Sequence, residues 1–136
     1  MSTLLERVGN AANSGVYRTG RAAEFLAGIR GGAVPVTRID FSGAGSKEAA
    51  LGRIASALSF PDWFGGNWDA LEDCLSDLSW LGDRGCLLLL EGTQGLPADE
   101  RGILGDVLAS AASYWKERGR PFVAVFAGGE TQLPEI

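Results

Sequence analysis

CLLLLE, residues 86–91, decides the fold class. Four consecutive leucines follow Cys86 and leave the segment no polar face. A strand that is apolar on both sides belongs in a sheet covered on both faces, the habit of parallel sheets joined by helical crossovers. Downstream, Asp99 to Arg118 carries Leu104, Leu108, Ala111, Ala112 and Trp115 as one helical stripe, with Gly119 as its stop. Phe122 to Phe126 (FVAVF) reads as the last strand. Upstream, Trp68 to Leu78 reads as a helix with Asn67 as its N-cap. Lys47 to Leu58 reads as another, with Ala50, Leu51, Ile54, Ala55 and Leu58 on one face and Pro61 as its stop. Ala33 to Phe41 (AVPVTRIDF) has the β-formers of a strand, irregular at Pro35. Strands alternating with helices predict an α/β fold, a three-stranded parallel sheet with helices packed on it.

Residues 1–33 read as an N-terminal helical extension packed on this domain. Leu4, Leu5 and Val8 suit a short helix, Gly9 to Gly15 a loop, and Arg21 to Arg30 a second helix ended by Gly31-Gly32. The domain itself is expected over 34–128, followed by a loose tail over 129–136. At 136 residues the chain is long enough for one buried core.

Composition excludes several classes of function. Without histidine, Ser-His-Asp and Cys-His catalysis and histidine-bearing zinc sites are unavailable. An isoelectric point near 4.7 argues against a nucleic-acid binder. No apolar run is long enough to span a membrane, and the N-terminus lacks the layout of a secretion signal. Two cysteines on a helix and a strand suit buried thiols in a reducing cytoplasm. No cofactor is implied.

The charge is concentrated in one place. From Asp62 to Arg84 there are six acids (Asp62, Asp69, Glu72, Asp73, Asp77, Asp83) and one base, which equals the formal charge of −5 on the whole chain. On a helix, Glu72, Asp73, Ser76 and Asp77 all fall within about 80° of Asp69, while Leu71, Cys74, Leu75 and Leu78 fall opposite. The pairs Asp69–Asp73 and Asp73–Asp77 are like charges one turn apart, each costing about 0.2–0.5 kcal/mol. Selection for stability alone would have placed a lysine among them. Beside this helix, Trp63 in its Gly-Gly loop has the character of an interface anchor. Trp68 faces the core side of the wheel, and Trp80 and Trp115 suit core or core-edge positions. A carboxylate acid–base pair or a divalent-metal site is the enzymatic alternative, but nothing separates the environments of the two aspartates.

The stretch FPDWFGGNWDALEDCLSDL resembles the central motif of the barstar family, intracellular inhibitors of secreted bacterial ribonucleases. The matching residues are Pro61, Trp63-Phe64, Gly65, Asn67, Asp69-Ala70-Leu71 and Asp73-Cys74-Leu75. The resemblance implies a non-catalytic, cytoplasmic protein, monomeric when free, that forms a 1:1 complex with a basic, barnase-like, guanyl-specific ribonuclease. It binds no nucleic acid or membrane, and holds no metal. By motif, Asp73 is the principal ligand of the enzyme's catalytic cations and Asp69 the second. Trp63 and Phe64 are the loop aromatics, with Gly65 and Asn67 shaping the loop. Ala70, Glu72, Ser76 and Asp77 complete the partner-binding surface. Two positions depart from the family's best-known member: Glu72 replaces a tryptophan and Tyr114 an acidic contact. An immunity module for a different cationic toxin is therefore the alternative partner reading.

Overall fold

The computed structural model describes residues 4–29, 31–32, 34, 36–60, 66–77, 85–128 and 133–136. Its strands are β1 (Gly15–Thr19), β2 (Val36–Asp40), β3 (Cys86–Glu91) and β4 (Phe122–Ala127). Its helices are α1 (Leu4–Val8), α2 (Ala22–Ile29), α3 (Lys47–Ala57), α4 (Trp68–Asp77) and α5 (Ala98–Glu117). The sheet has four strands in the order β1-β4-β3-β2, every pair parallel.

This corrects the expected count of three strands. β1 fills the interval between the expected loop at Gly9–Gly15 and the helix at Arg21, and it pairs with β4 from Gly15↔Val123 to Thr19↔Ala127. The physical reason lies in β4 itself, which is buried from Phe122 to Phe126. β3 and β4 are both interior strands, and each requires a neighbour on either side to satisfy its backbone groups.

Crossover direction then fixes the layers. The β1→β2 connection runs across the sheet one way and carries α2. The connections β2→β3 and β3→β4 run the other way and carry α3, α4 and α5. Crossovers of one hand that run in opposite directions place their helices on opposite faces. The side chains agree. Leu88, Leu90, Phe122, Ala124 and Phe126 point into a core built with α3, α4 and α5. Leu87, Leu89, Val123 and Val125 point into a second core with Val8, Phe25 and Ile29. The continuous apolar run that opened the sequence reading is therefore buried on both faces.

Local chemistry sets the ends of the elements. Ser46 caps α3 by accepting from the Ala49 N–H at 3.2 Å. After β3 the chain turns at Gly92 with φ 75°, where an added Cβ would lie 2.8 Å from Ser42 Oγ. Only glycine meets both the angle and the close approach. The tail departs from expectation too. Residues 133–136 are not loose: the Arg18 N–H donates to Pro134 O at 2.9 Å and the Ile136 N–H donates to Arg18 O at 3.0 Å.

Candidate functional site

Helix α4 begins where Gly66, at φ 72°, turns the chain into Asn67. Asn67 Oδ1 accepts from the Ala70 N–H at 2.7 Å, and its carbonyl accepts from the Leu71 N–H at 2.9 Å. That is the N-cap expected from sequence, and it contributes about 1 kcal/mol. Leu71, Cys74 and Leu75 are fully buried. Leu71 and Leu75 join the core that includes α5, and burial of each contributes about 1.5–3 kcal/mol.

Two tryptophans fix the helix to α5. Trp68, at the start of α4, is half-buried and donates its indole N–H to Glu100 Oε2 at 3.0 Å. Near the other end, Trp115 Nε1 donates to Leu75 O at 2.7 Å. That carbonyl is one of the four at the C-terminus of α4 with no partner inside the helix. Both indoles are amphipathic, packing a ring against the core while the N–H finds an acceptor. Sequence reasoning placed both rings at the core but missed these bonds. The signal was available, since a tryptophan at a core edge needs an acceptor within reach.

The opposite side of α4 is the carboxylate face. Asn67, Asp69, Asp73 and Asp77 are exposed, while Ala70, Glu72 and Ser76 are half-buried. Among the described residues the ion pairs are Arg18–Glu135, Arg21–Glu24 and Arg38–Glu91, and none involves α4. The four carboxylates therefore stand without a paired cation among the described residues. Their field reaches inward: Cys74 is raised above the ordinary thiol range, first by burial and then by the charges of Asp73 and Asp77. Cys86, deep in the sheet, is pushed up to about 12 by burial alone. Both thiols are free and buried; neither has the depressed pKa of a nucleophile.

The structure thus brings seven of the expected site residues onto one helix and its cap: Asn67, Asp69, Ala70, Glu72, Asp73, Ser76 and Asp77. Trp63, Phe64 and Gly65 lie outside the described residues, as do Leu78 and Trp80. Tyr114, on α5, packs on Trp115, their rings meeting edge to face with centroids 5.1 Å apart. The Arg118 guanidinium lies 3.5 Å from the Tyr114 ring centroid. The Tyr114 position, named from sequence as a departure from the family pattern, thus carries an aromatic ring covered by a cation. Among the described residues, no three of the Cys, Asp and Glu side chains come together as a metal site requires. Nor is any helix among them long and apolar enough to cross a membrane.

No curated protein matches the chain. A family model described as Barstar (barnase inhibitor) matches residues 34–127. The match begins just before β2 and ends with β4, and so contains α4, both of its tryptophan anchors and the whole carboxylate face. The family is one of ribonuclease inhibitors, not of enzymes. Over most of its length, with its strands, helices and acidic segment in the expected order, the chain belongs to the barstar family.

Proposed function

We propose that the protein inhibits a basic, guanyl-specific bacterial ribonuclease by laying the carboxylate face of α4, with the preceding loop, into the enzyme's active site. One observation carries the reading. Asp69, Glu72, Asp73 and Asp77 project from a helix that is capped by Asn67 and fixed to α5, and none of them pairs with a base among the described residues. A helix meant only to be stable would not be built so. An active site that binds RNA presents cations spaced for phosphates, and carboxylates on a rigid helix supply the complementary charge. Barnase and barstar are themselves the model case for that generalisation, so its magnitudes are not independent of the family.

Asp73 is the central ligand, with Asp69 second. Asn67, Ala70, Ser76 and Asp77 form its surroundings, and Trp63, Phe64 and Gly65 the loop edge. Glu72 adds charge beside the aspartates and selects for a partner with an additional cation. The complex is 1:1, and inhibition protects the producing bacterium's cytoplasm. The two free thiols accord with a reducing compartment.

The test is titration of the purified protein against a small panel of guanyl-specific ribonucleases, following RNA hydrolysis. Stoichiometric inhibition of at least one, with association slowing as salt rises, is expected. Asp73→Ala should weaken the complex by about 3–5 kcal/mol, because it strands buried enzyme cations without a partner. Inhibition by Asp73→Ala equal to wild type would remove the assigned role. If no ribonuclease is inhibited and a different cationic toxin is bound, the partner class is wrong but the surface is right.

A further inference from the structure

The chain extends past the family match on both sides, and the two extensions meet at Arg18. Residues 133–136 lie along β1, on the edge away from β4. The Arg18 N–H donates to Pro134 O, its carbonyl accepts from the Ile136 N–H, and its Nε donates to Leu133 O at 2.8 Å. Arg18 is thus held through its backbone on both sides and through its side chain. The flanking apolar groups divide between the two layers. Leu133 packs against the core shared with α3, α4 and α5, whereas Ile136 packs against the core shared with α1 and α2. Residues three apart in an extended segment point to opposite faces, so one short crossing of the sheet edge reaches both cores. The ion pair between Arg18 and Glu135, 3.7 Å long and largely exposed, contributes little by itself.

The N-terminal layer is thin. α1 has five residues and α2 eight, and between them they bury Val8, Phe25 and Ile29. Helices this short do not hold themselves together and depend on packing. β1 has β4 on one side and the tail on the other. By contrast, α4 is fixed to α5 by bonds that do not involve residues 133–136, and of the tail only half-buried Leu133 reaches the core it shares.

We propose that residues 133–136 form a two-sided latch that holds edge strand β1 and the helices α1 and α2 onto the rest of the sheet, and that releasing it loosens these elements while leaving the acidic face of α4 in place. Local stability in a folded protein follows local contacts, and segments with few of them open independently of the rest. The latch supplies two of the backbone bonds of β1 and one of the apolar contacts of the thin core.

The experiment is amide hydrogen exchange on the full chain, comparing wild type with Leu133→Ser, Ile136→Ser and the double variant. Exchange at Tyr17, Arg18 and Thr19 and along α2 should accelerate about tenfold or more in the double variant. Leu71 and Leu75 amides in α4 should keep their wild-type rates in Ile136→Ser, whose side chain reaches only the N-terminal core, and should change far less than those of β1 and α2 in the double variant. Glu135→Gln should leave every rate unchanged, because the ion pair is not what holds the tail. Three results would overturn the latch: no acceleration in β1 and α2, acceleration of equal size in α4, or an effect of Glu135→Gln as large as that of the double variant. The readout requires no ribonuclease, so failure here and failure of the inhibitor reading are separate.

Discussion

Replacing Asp73 by lysine should make the free protein more stable. Asp73 is exposed, so the change removes no buried contact. It stands one turn after Asp69 and one turn before Asp77, and each like-charge pair at that spacing costs about 0.2–0.5 kcal/mol. A lysine converts both repulsions into attractions of similar size. The Asp69–Lys pair has the better orientation and the Lys–Asp77 pair the poorer, so a total of about 1 kcal/mol is a conservative sum. Lysine is also the better helix former, by a further few tenths of a kcal/mol. For a chain of this length, about 1 kcal/mol raises Tm by about 4 °C. Urea unfolding followed by tryptophan fluorescence, at about 10 mM and about 1 M salt, measures it. The Debye length falls from about 30 Å to about 3 Å between those conditions, so most of the gain should vanish at high salt and leave the propensity part. The reasoning is refuted if Asp73→Lys is destabilising at low salt, or if its gain is undiminished at high salt. The same variant should be inactive as an inhibitor, so that stability and binding move in opposite directions.

Three further outcomes follow from the geometry. Asn67→Ala should cost about 1 kcal/mol by stranding the Ala70 N–H, read as a lower urea midpoint with unchanged slope; an unchanged midpoint would deny the cap. Trp115→Phe keeps a ring but leaves Leu75 O without its donor, and should cost about 1–3 kcal/mol, visible by thermal unfolding; a neutral result would mean that solvent replaces the indole. At alkaline pH, the unfolded chain releases the Cys86 proton near the ordinary 9.0 while the folded chain holds it to about 12. The native state therefore binds more protons in that window. Stability is full below about pH 9 and falls by about 1.4 kcal/mol per unit above it for this thiol. Cys86→Ala should flatten that fall by about one proton, and an unchanged slope would show that Cys86 is not its source.

What could be read from sequence follows from where the information is local. The start of α4, its cap at Asn67 and the division between Leu71, Cys74 and Leu75 on one side and the aspartates on the other all follow from local signals, the capping residue and helical spacing. β3 and β4 were legible because each is an apolar run of strand length bounded by glycine or proline, which suits a strand covered on both faces. β1 was missed because GVYRT is short, carries a charge and has little period of its own; only the requirements of β4 reveal it. Two fully apolar strands do imply two interior strands, and hence at least four in all, so the count could have been drawn from CLLLLE and FVAVF together. The tail was unreadable for a related reason, since nothing in Leu133 to Ile136 announces a strand and its order comes from long-range partners, the edge of β1 and the two cores beside it. The tryptophan bonds to Glu100 and Leu75 are long-range, and no local pattern contains them.

The two buried thiols have a practical consequence. Cys74 and Cys86 are the only cysteines in the chain, and both are enclosed and held protonated well above neutral pH. A cysteine introduced at exposed Ala23 or Ala27 on α2 would thus be the single site open to a maleimide. α2 lies across the sheet from α4, so a dye or a sensor-surface tether attached there leaves the carboxylate face unobstructed. The same layering that buries the leucines of β3 from both sides gives the molecule a reverse side by which it can be held.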